Sequence, residues 1–223
     1  MKKIGMASLC AAAILTGCNY NITRNVVYCK GEVVQKELDL TGFDRIQING
    51  SADLNYLQDQ SEKVFVKANE DVFQYLNFRV EDGVLILETV DSVQIRAETF
   101  DVYVNAPVMK TITVNGAADA KLAQIDSDEN LSITVNGAGD IELKNVRVPE
   151  LDFTVNGAGD LDASGLIVGK LSLSVNGAGD ADLSGEAGSA VFRISGAGDV
   201  DARGLACKDI QLHKSGAARI RTQ

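Results

Sequence analysis

The chain has 223 residues and a formal charge of −10, with 21 Lys and Arg against 31 Asp and Glu. This charge argues against nucleic acid as a partner, because contact with a phosphate backbone requires clustered Lys and Arg side chains. Trp is absent and aromatic residues make up 5% of the chain, which argues against a sugar platform built from aromatic rings.

Residues 1–17 have the pattern of a lipoprotein signal peptide. Lys2 and Lys3 precede an apolar run of about a dozen residues, which is the length of a signal-peptide core and short for a bilayer span. The run ends in "LTGC", which resembles the bacterial lipobox, so we expect cleavage before Cys18 and lipidation of Cys18. Acyl chains contribute about 0.8 kcal/mol per buried CH₂ and make a firm anchor. The alternative is an ordinary secretory signal with a chance cysteine.

Residues 18–40 are predicted to form the lipidated N-terminus, a tether and a first strand. The domain itself is expected over 41–223, and its first half, 41–110, is the less regular one. Here "FDRIQINGSADL" contains an early turn, and "FRVEDGVLILET" carries a hairpin signal between two runs of strand length. We expect the strands of this half to cover one end of the domain.

Residues 111–223 repeat a short turn with a period of about 20 residues. "NGAGD" occurs at 136–140, 156–160 and 176–180, and related turns begin at 49, 115, 195 and 215. Apolar and polar residues alternate around each turn, so each repeat has strands with one buried face. The variable segments between turns, such as "QIDSDEN" and "SGEAGSA", are expected to be loops. Such a repeat is typical of stacked architectures, and it is too short for a strand–helix–strand crossover.

The predicted fold is therefore all-β, a right-handed parallel β-helix with about 20 residues per coil. Coils about 4.8 Å apart would align equivalent inward residues into columns of one continuous core. The turns are corners, and their asparagines are expected to hydrogen-bond along the axis as a ladder of Asn115, Asn136, Asn156 and Asn176. A phosphate-binding glycine loop is disfavoured, because no helix follows the turn.

A second corner and a terminal cap complete the predicted coil. Residues that tolerate a positive φ recur about nine residues after each turn, at Asn145, Gly165, Gly185 and Gly204. In the last repeat, Lys214 takes an inward position that is Val or Ile elsewhere, and Arg219 replaces the turn Asp. Both changes are expected of a coil that ends the stack.

Two cysteines remain if Cys10 is cleaved off and Cys18 is acylated. Export would permit a disulfide between Cys29 and Cys207, and two unpaired thiols are the alternative. The sequence leaves both open.

At this point the chain resembles the bacterial head GIN domain lipoproteins, a family described as auto-transporter adhesins. The resemblance covers about residues 40–223 and rests on "FDRIQINGSADL", "EDGVLILET", "DVYVNAPVMKTITVNGAADA" and the reiterated "NGAGD" turns, in this order. It implies a β-helix with a pectate-lyase-like shape that lacks catalytic residues, and an adhesion or ligand role in the cell envelope. An outer-membrane lipoprotein is expected, and "NYNITRN" after Cys18 leaves its periplasmic or surface orientation open.

One feature exceeds the needs of the fold, a stripe of carboxylates on the solvent face. The turn Asp column, which starts at Asp119, runs beside a second column two residues later. The candidate stripe for a cation or partner consists of Asp140, Glu142, Asp160, Asp162, Asp180, Asp182, Asp199 and Asp201. Calcium, a protein or a polysaccharide could match these charges, and the alternative is that the turn Asp caps amides while the second column is merely solvated.

Enzyme chemistry is not predicted, and no cofactor is expected. A polysaccharide lyase would need long loops that wall a cleft, and a carboxylate-pair hydrolase needs two acids in unlike environments. His213, the one histidine, simply continues a Ser/Thr column. The preferred prediction is a lipid-anchored, non-enzymatic envelope protein that presents its outer faces to a partner. The alternatives are a cation- or polysaccharide-binding module and, after it, a lyase-like enzyme.

Overall fold

The computed structural model describes residues 25–90 and 93–223, so the signal peptide, Cys18 and the start of the tether lie outside the described residues. It is a β-solenoid of about 6 turns with about 20 residues per coil, which confirms the predicted parallel β-helix. Within the described ranges, no helix has the length and apolar character of a membrane span.

Sixteen strands and a short 3₁₀ helix make up the described chain. The strands are β1 (Asn25–Cys29), β2 (Val33–Leu38), β3 (Arg45–Gly50), β4 (Asp53–Gln58), β5 (Lys63–Asn69), β6 (Arg79–Glu81), β7 (Val84–Glu88), β8 (Val93–Ala97), β9 (Phe100–Ala106), β10 (Thr111–Ala117), β11 (Ala120–Asp126), β12 (Leu131–Ala138), β13 (Ile141–Ala158), β14 (Leu161–Ala178), β15 (Ala181–Ala206) and β16 (Asp209–Thr222). The 3₁₀ helix, Glu70–Tyr75, follows β5.

Parallel pairing places equivalent residues of successive repeats directly above one another. Val135 pairs with Val114 on one side and with Val155 on the other, and Val155 pairs with Val175. All four valines are almost fully buried, at 0–2% exposure. The alternating residues therefore form columns, as the period predicts, and one hydrophobic cluster runs through the solenoid.

The segment that returns the chain to the next coil is also paired, which corrects the expectation of variable loops. Glu150 pairs with Lys170, and Lys170 pairs with Ser189. The segment 184–190, "SGEAGSA", belongs to β15, and a register shift between Ala163 and Leu166 accommodates the shorter repeat. In "QIDSDEN", the strand β11 continues to Asp126, and only residues 127–130 form the expected loop before β12. Continuous pairing satisfies the backbone groups that a loop would leave to water.

The N-terminal half covers one end of the solenoid, as predicted. The strand β7 pairs in parallel with β3, and β9 pairs in parallel with β4, on the side opposite the regular coils. The coil that follows β3 and β4 in sequence therefore extends the stack at its N-terminal end, before the chain continues to the regular coils. Antiparallel pairing of β9 with β5, and of β5 with β2, then continues the sheet beyond the parallel stack. The predicted hairpin joins β6 to β7 through Asp82 and Gly83, both at positive φ.

One buried polar residue ties this end together. Asn69 is 2% exposed, and its side-chain Nδ2 donates to the carbonyl of Gly31 at 2.7 Å. Its Oδ1 accepts the backbone N–H groups of Glu98 and Thr99. A fully bonded amide in this position links three chain segments without leaving a buried polar atom unpaired.

Cys29 and Cys207 are both free, and only Cys29 fully matches the alternative of two unpaired buried thiols. Cys29 is buried at the N-terminal end, whereas Cys207 is partly exposed between β15 and β16 near the other end. Burial, and then the neighbouring Asp71 carboxylate, raise the pKa of the Cys29 thiol. Cys29 therefore behaves as a small core residue rather than a reactive thiol.

The second corner is confirmed at three of its four predicted positions. Asn145, Gly165 and Gly185 have positive φ, at 55°, 66° and 127°. Gly204 does not share this conformation, and Gln124 takes it in the first regular coil at 57°. Gln124 was missed because a glutamine gives no sequence signal for a left-handed corner.

The last strand, β16, leaves the C-terminal end of the core uncovered. Leu212 pairs with Phe192 and continues its column, yet it is 48% exposed because no further coil follows in the described chain. Lys214 pairs with Ile194 and is also exposed, in line with the predicted change at the end of the stack. A charge that points along the end of a sheet discourages edge-to-edge pairing.

Close approach of neighbouring coils makes glycine necessary at the main corner. Gly157 has a φ of 150°, and a Cβ at this position would lie 2.1 Å from the carbonyl oxygen of Gly137. A Cβ at Gly159 would lie 2.3 Å from the carbonyl oxygen of Gly139. Both distances are far below van der Waals contact, so any side chain here would separate the coils.

We expect Gly157→Ala to lower the free energy of unfolding by about 2–4 kcal/mol, because it combines backbone strain with a backbone clash. Ala158→Ser is the matched control, since Ala158 is exposed at the same corner and tolerates a small polar group. Denaturant unfolding followed by circular dichroism measures both variants. Equal stability of the two variants would contradict close coil packing as the reason for the glycine.

Candidate functional site

The turn aspartates form a ladder in which each carboxylate binds the backbone of the next coil. The Oδ1 atom of each aspartate accepts the backbone N–H of its successor. The distances are 3.1 Å for Asp53 and Asp119, 2.9 Å for Asp119 and Asp140, 3.1 Å for Asp140 and Asp160, 2.8 Å for Asp160 and Asp180, and 2.7 Å for Asp180 and Asp199. The first column of the stripe therefore caps amides, which is the structural alternative that the sequence left open.

A shallow groove of about 820 Å³ runs along this corner beside the aspartates. It is lined by the repeated Ala, Gly and Asp of each turn, from Asp53 to Asp199. At its N-terminal end, burial raises the pKa of Asp53, and the hydrogen bond from the Asp119 amide partly opposes this shift. The groove is open along its whole length, so it is a surface for contact rather than an enclosed ligand cavity.

The second column begins and ends with basic residues. Lys121 pairs with Glu142, Glu142 with Asp162, and Asp162 with Asp182 in the parallel register. At the other end, Asp201 pairs with Arg221. The acidic positions thus occupy the middle of the column and the first and last coils supply cations.

Ion pairs neutralise the stripe at both ends. Glu142 contacts Lys144, and the hydrogen bond from this ammonium lowers the pKa of Glu142. Arg203 donates to Asp201 and, with Arg221, lowers the pKa of Asp201 to about 2. Asp199 accepts from Arg219 at 3.3 Å and from Arg221 at 3.5 Å.

Besides Asp140, four aspartates in the middle of the stripe have no basic partner among the described residues. They are Asp160, Asp162, Asp180 and Asp182. Together with Asp140 and Glu142, they line a second groove of about 440 Å³ between the two columns. Charges about 5 Å apart repel by roughly 0.8 kcal/mol per pair in water, so these carboxylates favour cationic groups nearby.

The stripe is a row rather than a chelating cluster. Over residues 25–90 and 93–223, no group of three or more His, Cys, Asp or Glu side chains is arranged to hold a metal ion. The first-column Oδ1 atoms are occupied by backbone amides, which leaves one outward oxygen per turn. Such an arrangement suits several weak contacts along an extended partner better than one tightly bound ion.

The asparagine ladder is confirmed, and it extends further than the sequence indicates. Each Nδ2 donates to the Oδ1 of the preceding coil at 2.9–3.0 Å, through Asn176, Asn156, Asn136, Asn115 and Asn49. The Nδ2 of Asn49 then donates to Glu88 at 2.9 Å. The position of Asn49 in the turn motif "QINGSADL" indicates from the sequence that it belongs to the ladder. No sequence motif indicates the role of Glu88.

Glu88 anchors the ladder at the N-terminal end of the solenoid. Its carboxylate also accepts hydrogen bonds from Asn77 and Arg79. The bond from Asn49 and the neighbouring Arg79 guanidinium lower the pKa of Glu88. Glu88 is thus an acceptor committed to the fold, and it is not free to serve as an acid or base.

These repeats allow the chain to be compared with known protein families. A family model described as "putative auto-transporter adhesin, head GIN domain" matches residues 42–168 and 166–223. The chain belongs to this family. The head GIN domain match begins within the early turn segment and extends to the last residue, which confirms the resemblance stated from the sequence.

Solved structures with a similar architecture include three proteins from Parabacteroides species. A putative adhesin from Parabacteroides distasonis ATCC 8503 has a TM-score of 0.80 at 24% identity, over 89% of this chain and 84% of the other. A putative adhesin from Parabacteroides merdae ATCC 43184 has a TM-score of 0.71 at 26% identity, over 87% and 83%. A putative lipid binding protein from Parabacteroides distasonis ATCC 8503 has a TM-score of 0.81 at 21% identity, over 89% and 92%. No curated protein matches the chain significantly.

The ladder role of the turn aspartates can be separated from their charge. We expect Asp160→Ala to lower the free energy of unfolding by about 1 kcal/mol, because the Asp180 amide loses its acceptor. Asp160→Asn keeps an oxygen acceptor and removes one repelling charge, so its stability should equal or exceed that of the parent at low ionic strength. Added salt should reduce this gain.

Denaturant unfolding in low and high salt measures both effects. Asp152→Ala serves as the control, because Asp152 is an exposed carboxylate that pairs with Ser132 and Ser172 and lies outside the stripe. If Asp160→Ala proved as stable as Asp160→Asn, the carboxylate would have no capping role.

Proposed function

We propose that the chain is a lipid-anchored, non-enzymatic protein of the bacterial cell envelope that presents the outer faces of its solenoid to a partner. The role is adhesion or ligand presentation, and the partner is a protein or a polysaccharide. Membership of the head GIN family supports an adhesin-like envelope protein. The observation that carries the proposal is the polar side surface, on which Thr or Ser repeats over four successive coils at Thr113, Thr134, Thr154 and Ser174.

Short polar side chains form the outer surface where β10, β12, β13 and β14 pair before the main corner. Outward positions between the buried columns are half-buried Thr and Ser, and they stack in register: Thr111 on Ser132, Thr113 on Thr134, Thr134 on Thr154, and Thr154 on Ser174. Parallel coils repeat such groups every 4.8 Å or so. A partner with its own repeat could therefore make the same weak contact several times, and weak contacts that act together raise the overall affinity.

The surroundings of the carboxylates support a binding role over catalysis. Asp160 and Asp180 have the same neighbours and the same hydrogen bonds, one coil apart. Acid–base catalysis by a carboxylate pair requires two acids whose environments differ. The grooves beside them are open and shallow, whereas a hydrolase or lyase requires a walled cleft.

Anchoring through Cys18 would hold the solenoid at a membrane. We expect Cys18→Ser to move the protein from the membrane fraction to the soluble fraction, because the acyl chains supply the affinity for lipid. Fractionation followed by immunoblotting measures this, and Ser8→Ala in the signal peptide is a control that leaves the predicted lipobox intact. A Cys18→Ser protein that remained with the membrane would contradict lipid anchoring.

Adhesion is tested in the source bacterium with a deletion strain and three complements. The complements carry the parent chain, Cys18→Ser, and Thr134→Lys with Thr154→Lys, which places two long charged side chains on the Thr and Ser face. We expect attachment to immobilised polysaccharides and cells to fall in the deletion strain and to recover only with the parent chain. Protease treatment of intact cells tells whether the domain faces outward. Unchanged attachment to every surface, or release of unsaturated sugars by the purified protein, would overturn the proposal.

The unpaired aspartates of the stripe favour a second candidate, a module that binds cations. Under this candidate, calorimetric titration with Ca²⁺ gives saturable heat, and Asp162→Asn with Asp182→Asn removes most of it. These two residues are suited to the test because their carboxylates do not cap the ladder. Asp128→Asn with Asp152→Asn is the charge-matched control. Absence of heat with the parent protein would eliminate the candidate.

A further inference from the structure

Exposed apolar side chains are concentrated where the described chain begins. The large hydrophobic residues that are exposed in the described ranges are Val26, Tyr28, Val33, Leu57, Val90, Ile167 and Leu212. Three of them lie within eight residues of one another, and Tyr28 is the most exposed of all at 70%. A solvent-exposed tyrosine with flanking valines in the first strand is not required by the solenoid core.

The pairing of β1 with β8 places two of these residues, Val26 and Tyr28, on one face of a small parallel sheet. Cys29 is buried, so the alternation along β1 directs Val26 and Tyr28 to the opposite, outer face. Val26 pairs with Gln94, and Tyr28 pairs with the exposed Arg96. We call this outer face, formed by Val26, Tyr28, Gln94 and Arg96, the β1–β8 face.

The charge at this end differs from that of the rest of the chain. Residues 19–30 contain Arg24 and Lys30 and no Asp or Glu, although the whole chain has a formal charge of −10. Arg96 makes no ion pair within the described part of the chain. Glu32 follows β1 and Glu98 follows β8, so these acids offset part of the positive charge. Electrostatic attraction therefore contributes modestly to contact with an anionic membrane, and the Tyr28 ring contributes more. Tyrosine with Arg or Lys is the composition that membrane–water interfaces favour.

We propose that the β1–β8 face rests on the lipid bilayer that holds the anchor, so that the solenoid stands on its N-terminal end. This inference depends on the proposed lipidation of Cys18. Cys18 lies seven residues before Asn25, and a fully extended chain of that length spans at most about 25 Å. The lipid headgroups are therefore within reach of the β1–β8 face, and contact of Tyr28 with them holds the domain in one orientation.

The opposite end then points away from the membrane. Leu212 belongs to a column that runs through Phe192, Leu173, Phe153 and Ile133 down to the N-terminal end. With coils about 4.8 Å apart, Leu212 lies more than about 30 Å from β7 along the axis. The side faces are thereby exposed over their whole length to partners that approach in the plane of the membrane or from above.

The absence of Trp from the chain allows a direct test. The full-length lipoprotein is reconstituted into liposomes of phosphatidylethanolamine and phosphatidylglycerol, as Tyr28→Trp and, in a separate variant, as Leu212→Trp. We expect emission from the Tyr28→Trp variant to shift to shorter wavelength and to lose at least half of its intensity with brominated acyl chains. The Leu212→Trp variant, which is also exposed to solvent but lies at the far end, should show neither change.

Further variants examine the charge and the anchor separately. Arg96→Glu in the Tyr28→Trp protein should reduce the quenching, whereas Arg193→Glu should not, because Arg193 is an exposed arginine that pairs with His213 of the last strand. Circular dichroism confirms that each variant is folded. Co-sedimentation of the protein with liposomes reports anchoring independently of orientation.

The outcomes distinguish this inference from the proposed function. Protein that sediments with liposomes while the Tyr28→Trp emission remains unquenched overturns the contact of the β1–β8 face and leaves lipid anchoring intact. Equal quenching of the Tyr28→Trp and Leu212→Trp variants means that the solenoid lies flat, which also overturns the inference. Protein that fails to sediment contradicts the anchor itself, and with it both proposals.

Discussion

The spacing of about 4.8 Å between parallel coils is the constraint on which the rest of the structure depends. Hydrogen bonding between neighbouring backbones fixes this distance, and every side chain then has an equivalent directly above and below it. At the main corner the backbones approach so closely that a Cβ at Gly157 would collide with the carbonyl oxygen of Gly137. The repeated sequence is therefore the consequence of a repeated environment.

The same spacing determines how polar residues are used. An asparagine has both a donor and an acceptor, so a column of asparagines satisfies itself and needs only one terminal partner, which Glu88 supplies. An aspartate has only acceptors, and its column repels itself unless donors are provided. The backbone amide of the next coil is such a donor for Asp140 and Asp160. Basic residues at both ends reduce the remaining repulsion, and Asp162 and Asp182 keep their charge available to a partner.

The sequence predicts those features that each repeat restates, because the period itself carries the three-dimensional register. The valine columns, the asparagine ladder and the main corner follow from it. Contacts made once are not predictable in this way. The stacking of β7 and β9 beneath β3 and β4 reverses the chain order, and Asn49 of the early turn joins Glu88 across 39 residues, although no motif marks Glu88. The paired return segment was missed because variation in sequence was taken for absence of a strand, although backbone pairing requires no particular side chains there.

The two ends of the solenoid differ, and the proposed orientation rests on this difference, whereas the proposed binding role rests on the sides. At the N-terminal end, antiparallel strands continue the sheet past the parallel stack to the edge strands β2 and β6, and Asn69 ties three chain segments together. At the C-terminal end, β16 has an unpaired edge in the described chain, protected by Lys214. The antiparallel strands cover the core at the N-terminal end, whereas the outer edge of β16 carries exposed charged side chains such as Lys214. In the proposed orientation the solenoid stands on its N-terminal end and every coil stays accessible, so additional coils raise both the height of the domain and the number of contacts that its sides can make.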